Sequence, residues 1–143
     1  MQISQVLRHK GPEVATIDGA ASVRDALALL AEHGIGALVV SSDGKQVEGI
    51  LSERDVARGL HSRGAGLLTE PVSSVMTAQV RICSLHESVQ AVAQTMTEHR
   101  VRHVPVVDDG VLIGIVSIGD VVKARLDELE DERKHMVDYI QTV

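Results

Sequence analysis

Residues Gly49-Ile50-Leu51-Ser52-Glu53-Arg54-Asp55-Val56 return later in the chain as Gly114-Ile115-Val116-Ser117-Ile118-Gly119-Asp120-Val121. These octapeptides close two longer copies of one unit, Ser22 to Val56 and Ser88 to Val121. The matches keep their order across several predicted elements, so we interpret them as an internal duplication. A polar Ser-x-x-Asp at the same point of each copy predicts paired ligand sites rather than one active centre.

The first half of each copy predicts a strand followed by a helix. A short β-like piece, residues 14–17 or 80–83, precedes apolar residues that recur at i, i+3, i+4 and i+7. The helix-start signals are Asp18 in the first copy and the capping box Ser84-Leu85-His86-Glu87 in the second. We therefore expect each helix to begin at these signals.

The second half of each copy predicts a hairpin followed by another helix. Asp43-Gly44 and Asp109-Gly110 each separate two apolar runs, a pattern typical of a β-hairpin. A second helix should begin just after Ser52 and just after Ser117. The unit is thus β-α-β-β-α, and the fold class is α+β.

One copy alone would leave a face of its small sheet uncovered, so we expect the two copies to pack as an intramolecular pseudo-two-fold pair. We place the first repeat at residues 1–61 and the second at residues 73–125. The Gly- and Ser-rich join at 62–72 is interpreted as a surface linker, and 126–143 as an extended, amphipathic, acidic C-terminal helix.

Composition narrows the class of partner. The net charge is −6 over 143 residues, and much of it lies in the C-terminal segment, so no general attraction to nucleic acid or an anionic membrane is expected. Tyr139 is the only aromatic residue, which excludes a base held by aromatic stacking. The single cysteine, Cys83, and the lack of an apolar leader at Met1 to Lys10 predict a cytoplasmic protein.

The order of elements, with three stretches in particular, resembles a tandem CBS-domain pair, also called a Bateman module. The stretches are Val75-Met76-Thr77, His99 to Asp108 and Gly114 to Val121. The resemblance covers roughly residues 3 to 125. It implies a stand-alone regulatory module that binds AMP, ADP or ATP, or in some members NAD(H) or S-adenosylmethionine, between the copies. It also implies a homodimer of CBS pairs that acts on a partner protein yet to be identified.

The resemblance also implies ligand-binding positions. Asp55 and Ser52 would hold the ribose side of one cleft, and Asp120 and Ser117 that of the other. Arg102 and His103 would be phosphate-side contacts, with no basic counterpart at Gly36-Ala37 of the first copy. Arg54 could replace the missing charge. On this basis we expect the cleft of Ser117 and Asp120 to be the preferred nucleotide site.

The same residues also permit readings without a ligand. Ser-x-x-Asp at a strand-to-helix junction is a common capping box, and the two roles are compatible. Lys10 could reach a phosphate, but a flexible basic N-terminal segment is favoured. His99 and His103 have a metal-like spacing only in a helix, which Pro105 disfavours, so no metal site is expected.

The C-terminal segment carries the alternative function. An apolar seam with helical spacing follows Asp120, at Val122, Leu126, Leu129, Met136 and Ile140. This helix should pack on its own module or on a second chain, which would suit an assembly or adaptor protein that binds no ligand. Enzyme motifs such as a phosphate loop or nucleophile elbow are missing, so we expect no catalytic activity and no catalytic cofactor.

Overall fold

The computed structural model describes residues 1–142 and confirms an α+β fold. In chain order the elements are α1 Ile3–Lys10, β1 Thr16–Ile17, α2 Val23–His33, β2 Ala37–Val40, β3 Gly49–Ser52, α3 Glu53–Arg63, 3₁₀ helices Gly64–Thr69 and Val72–Ser74, α4 Val89–His99, β4 His103–Asp108, β5 Val111–Ser117 and α5 Ile118–Thr142.

The two predicted hairpins are present, with different connections. In the first sheet β1 pairs parallel to β2, and β2 pairs antiparallel to β3; in the second, β4 pairs antiparallel to β5. Asp109 and Gly110 both have positive φ (51° and 77°), as a tight two-residue hairpin turn requires. The Asp43-Gly44 segment is instead a wider loop, in which the Asp43 carboxylate accepts the backbone N–H groups of Lys45 and Gln46 at 2.8 and 2.9 Å.

The first helix of each repeat begins four residues later than its predicted signal. The N-cap residues are Ser22 and Ser88, whose hydroxyls accept backbone N–H groups three residues on at 3.1 and 3.0 Å. Asp18 and Ser84 form turns that precede the helices, because their polar groups bond within the turn. The predicted strand at 80–83 is reduced to a single bridge from Cys83 to Val106.

Each repeat has its own hydrophobic core. In the first, α2, α3 and the sheet meet around Leu38, Val40 and Leu51, and in the second α4 and α5 meet the β4–β5 hairpin around Val104 and Val116. All four residues of β2 are buried, so both faces of the first sheet are covered.

Two segments differ from their predicted roles. The N-terminal residues are not a flexible segment but helix α1, and Ile3 and Val6 of that helix are buried in the core of the second repeat. The join at 62–72 is not only a surface connection, since Leu67 and Val72 are fully buried in the first core.

Equivalent hydrogen bonds occur inside the two copies, which therefore share one local fold. The first N–H of α3 donates to the carbonyl of Gly36 at 3.0 Å, and the first N–H of α5 donates to the carbonyl of Arg102 at 2.8 Å. Each hydrogen bond holds the residue just before the first hairpin strand beside the start of the second helix of the same copy.

Helix α5 joins the second repeat's closing helix to the C-terminal segment in one continuous element of 25 residues. The predicted C-terminal helix extends to Val143, which lies outside the described residues. The apolar seam is not packed on its own module: Leu126, Met136 and Ile140 are 61%, 67% and 69% exposed. Within residues 1–142, no helix combines the length and apolarity needed to cross a membrane.

Candidate functional site

Two clefts lie between the repeats, and the first has a cavity volume of about 510 Å³. Both copies form it. The first contributes the start of α3, with Ser52 and Asp55, while the second contributes Thr77 and the segment that joins α4 to β4. A ligand in this cleft would therefore bridge the two repeats.

Ser52 and Asp55 make a complete capping box at the first cleft. The Ser52 N–H and hydroxyl donate to Asp55 Oδ2 at 2.9 and 3.0 Å, and the Asp55 N–H donates to Ser52 Oγ at 3.2 Å. Thr77 of the second repeat donates its hydroxyl to Asp55 Oδ1 at 3.3 Å. The capping interpretation is thus correct, and both side chains line the cavity as well.

Arginine dominates the charge of the first cleft. The carboxylates that line this cleft are those of Glu53 and Asp55. Five of the chain's ten arginines line it as well: Arg54, Arg58, Arg81, Arg100 and Arg102. In residues 1–142 none of these five is within 4.0 Å of a carboxylate oxygen, whereas Arg63 and Arg125 are paired with acids. Unpaired guanidinium groups in one cleft attract an anion, and their planar donors suit phosphate oxygens.

Arg100 reaches the cleft through an unusual backbone conformation. It caps α4 with φ 53° and ψ 42°, the left-handed region that side-chain-bearing residues seldom adopt. The corresponding residue at the end of α2 is Gly34, with φ 61° and ψ 38°. The second copy therefore keeps a left-handed cap but bears a positive side chain there.

His103 lies between the two clefts and lines both cavities. A Cβ on Gly36 would lie 3.3 Å from its ring, so the imidazole packs directly on that glycine. Burial lowers the pKa of His103, and the positive charges of Lys10 and Arg102 lower it further, against the opposing effects of Glu53 and Asp120. The neutral imidazole is thereby favoured.

The second cleft, about 840 Å³ in volume, has a different character. Ser117 lines it, and its N–H donates to Asp120 Oδ2 at 2.8 Å while its hydroxyl accepts the Asp120 N–H at 3.2 Å. Lys10 of α1 donates to the same Oδ2 at 2.7 Å. Burial raises the pKa of Asp120, but the hydrogen bonds from Lys10 and Ser117 outweigh it and hold that pKa below its usual range.

The structure changes how the predicted site residues are grouped. Ser52, Arg54, Asp55, Arg102 and His103 share the first cleft. Ser117 lines the second, and Asp120 is hydrogen-bonded to two residues of that lining, Ser117 and Lys10. The expectation that Arg102 serves the cleft of Ser117 and Asp120 is wrong. Arg100 and Arg102, between α4 and β4 of the second repeat, lie in the same cleft as Ser52 and Asp55 of the first. These arginines therefore give no reason to expect that the cleft of Ser117 is the preferred nucleotide site.

Thr77, Arg58 and Arg81 also line the first cleft but were not predicted from the sequence as site residues. Thr77 is held by reciprocal backbone hydrogen bonds to Ile50 at 2.9 Å, a long-range pairing that no local pattern reveals. Arg81 did leave a signal: the repeat alignment sets it opposite Ala15, just as it sets Arg102 opposite Gly36. Reading such charge differences together would have predicted one strongly basic cleft.

Comparisons with known proteins agree with this architecture. A family model described as CBS domain matches residues 4–62 and again residues 72–127. The CBS domain-containing protein CBSX3, mitochondrial, of Arabidopsis thaliana is 36% identical over 149 residues, which cover 97% of this chain and 71% of that protein.

Solved structures show the same arrangement. The CBS-domain containing protein ATU1752 from Agrobacterium tumefaciens is 41% identical with a TM-score of 0.84, over 87% of this chain and 99% of its own. The CBS domain pair of protein MJ0100, in complex with 5′-methylthioadenosine and S-adenosyl-L-methionine, is 25% identical with a TM-score of 0.78, over 90% of this chain and 98% of its own.

Proposed function

Because the chain belongs to the CBS-domain family, we propose that it is a regulatory module that binds an adenine nucleotide in its first cleft and signals occupancy to a partner protein. CBS pairs are regulatory ligand-binding modules, and the MJ0100 pair shows adenosine-containing ligands in such a protein. The observation that carries the proposal is the combination of Asp55 and five arginines in one cavity.

The charges favour particular ligands within this class. A carboxylate can accept hydrogen bonds from both hydroxyls of a ribose, and Asp55 is the carboxylate with that role in this proposal. Arginines supply charge-assisted hydrogen bonds to phosphates. ATP and ADP should therefore bind more tightly than AMP, NAD(H) carries a usable pyrophosphate, and the cationic sulfonium of S-adenosylmethionine should be disfavoured.

Occupancy would be transmitted by closing the cleft. Asp55 and Arg54 belong to the first repeat, whereas Arg81 and Arg102 belong to the second, so a bound nucleotide contacts both. A ligand that binds the closed arrangement better than the open one shifts the population toward it. A partner that recognises one arrangement would then sense the nucleotide.

Calorimetric titration tests the proposal with AMP, ADP, ATP, NADH and S-adenosylmethionine at one ionic strength. We expect the order ATP, ADP, AMP, with affinity for ATP falling as salt is raised. Arg58→Gln should weaken ATP binding, and the exposed Arg24→Gln outside both cavities should not. No binding of any nucleotide at millimolar concentration, or preferential binding of S-adenosylmethionine, would contradict the proposal.

The exposed seam of α5 favours a second candidate, an assembly function in which a second copy covers the helix. Leu126, Leu129, Met136 and Ile140 are more than half exposed at helical spacing, which is typical of a helix that packs on another. Leu126→Glu should convert a dimer to monomer in analytical ultracentrifugation, with the exposed Glu132→Gln as control. An unchanged sedimentation coefficient would oppose this candidate.

A further inference from the structure

Helix α1 ends in an extra segment that the second repeat lacks. Leu7 packs on Gly114 as Met76 packs on the equivalent Gly49, so these two side chains mark corresponding points of the copies. From Leu7 the chain takes seven residues to reach Val14, but from Met76 only four to reach the corresponding Val80. The first copy therefore contains three additional residues, and Lys10 lies among them.

The extra segment holds Lys10 in a fixed position. The helix stops at Gly11, which has φ 95° and donates its N–H to the carbonyl of Leu7 at 2.8 Å. Lys10 Nζ donates to Asp120 Oδ2 at 2.7 Å and to the carbonyl of Ile115 at 2.8 Å. The lysine, which lines the second cleft, thus bridges Ile115 of β5 and Asp120 at the start of α5.

This bridge uses the binding capacity of Asp120. Each carboxylate oxygen has two lone pairs, and Oδ2 already accepts the Ser117 N–H at 2.8 Å in addition to Lys10. A ribose diol, which needs both oxygens, can gain Oδ2 only by displacing a charged ammonium. At the first cleft the side-chain donors to Asp55 are the hydroxyls of Ser52 and Thr77, which are neutral and can rotate toward a ligand.

We infer that Lys10 is an internal lock on the second cleft: its ammonium occupies the Asp120 carboxylate that a nucleoside would need, so the chain presents one usable nucleoside site although the second cleft is the larger cavity. The inference rests on the proposed function, because it assigns Asp120 the ribose-holding role that Asp55 has in the first cleft. Lys10 determines the number of usable sites, and release of α1 from β5 and α5 would open the second.

The number of ATP molecules bound per full-length chain tests the lock. Calorimetry on the wild type should give one site, Lys10→Met should give two, and Lys10→Met/Asp120→Ala should return to one. Lys45→Met, an exposed lysine in the β2–β3 loop, is the matched control and should keep one site. As a readout that needs no ligand, Lys10→Met should raise the Asp120 carboxyl pKa measured by carbon-detected NMR.

Each outcome distinguishes the lock from the proposed function. Two sites in the wild type, or one site in both wild type and Lys10→Met, would overturn the lock and leave the first cleft standing. Loss of a site in Lys10→Met would show that Lys10 is a ligand contact and would equally overturn it. If the wild type binds no ATP and Lys10→Met binds one molecule, the result would support the lock and contradict the proposed site in the first cleft. No binding to either protein would overturn both.

Discussion

Arg100 occupies in the second repeat the left-handed helix cap that Gly34 occupies in the first, with φ of 53° against 61°. An L-residue in this region is strained by about 1 kcal/mol, so stability alone would favour glycine at both ends. The strained residue is also an arginine that lines the first cleft. We interpret the strain as a cost retained for ligand binding.

Arg100→Gly should therefore separate stability from binding. The free energy of unfolding should rise by roughly 1 kcal/mol because the left-handed strain is removed, while affinity for ATP should fall several-fold because a phosphate contact is lost. Urea denaturation and calorimetry measure the two effects. The converse variant Gly34→Ala should lose about 1 kcal/mol of stability. If Arg100→Gly binds ATP unchanged, Arg100 is not a ligand contact.

Asp55→Ala and Asp120→Ala should differ in binding although both remove a capping-box carboxylate. Each should cost about 1 kcal/mol of stability through the weakened helix start. Only Asp55→Ala should also weaken ATP at the first cleft, by at least about tenfold, through lost charged hydrogen bonds. Equal ATP affinity in the two variants would reduce Asp55 to a structural cap.

The packing of Met76 on Gly49 provides a test of the fold. A Cβ at position 49 would meet the Met76 side chain closely, so Gly49→Ala should destabilise the protein by about 1 to 2 kcal/mol. Because methionine is flexible, Gly49→Ala/Met76→Ala should lose less than the sum of the single changes. Additive losses in thermal denaturation would show that the two residues are not in contact.

His103 should make stability depend on pH. Its pKa is lowered in the folded protein by burial and by Lys10, whereas the unfolded value is about 6.5. The unfolded chain therefore binds the proton more readily than the folded protein. The stabilisation by neutral His103 is complete above about pH 6.5 and is lost as the pH falls through the lowered pKa of His103 in the folded protein. We expect the urea midpoints of wild type and His103→Gln to differ more at pH 8 than at pH 5. An equal difference at both values would contradict this account.

The sequence was a good guide to elements formed by local patterns. The hairpin strands and the helices after Ser52 and Ser117 begin where alternation, turn residues and capping signals predict them. Local signals failed where a turn competes with a helix start, as at Asp18 and Ser84, because the same polar residues serve both.

The grouping of residues into clefts could not be predicted from the sequence in the same way. Arg102 lies in the second repeat but serves the first cleft, because the pseudo-two-fold packing sets the α4–β4 segment of one copy against the α3 start of the other. Lys10 was misjudged for a similar reason: its partner, Asp120, is 110 residues away in sequence. Such contacts follow from tertiary packing, and the duplicated pattern shows only which residues are equivalent.

An NMR titration with ATP on ¹⁵N-labelled full-length protein shows which of the two clefts binds the nucleotide. We expect the earliest amide shifts to concentrate at Ser52, Asp55, Thr77 and Arg102, while Ser117 and Asp120 change little. Shifts centred on Ser117 and Asp120, with the first cleft silent, would contradict this expectation, as would a spectrum that ATP leaves unchanged.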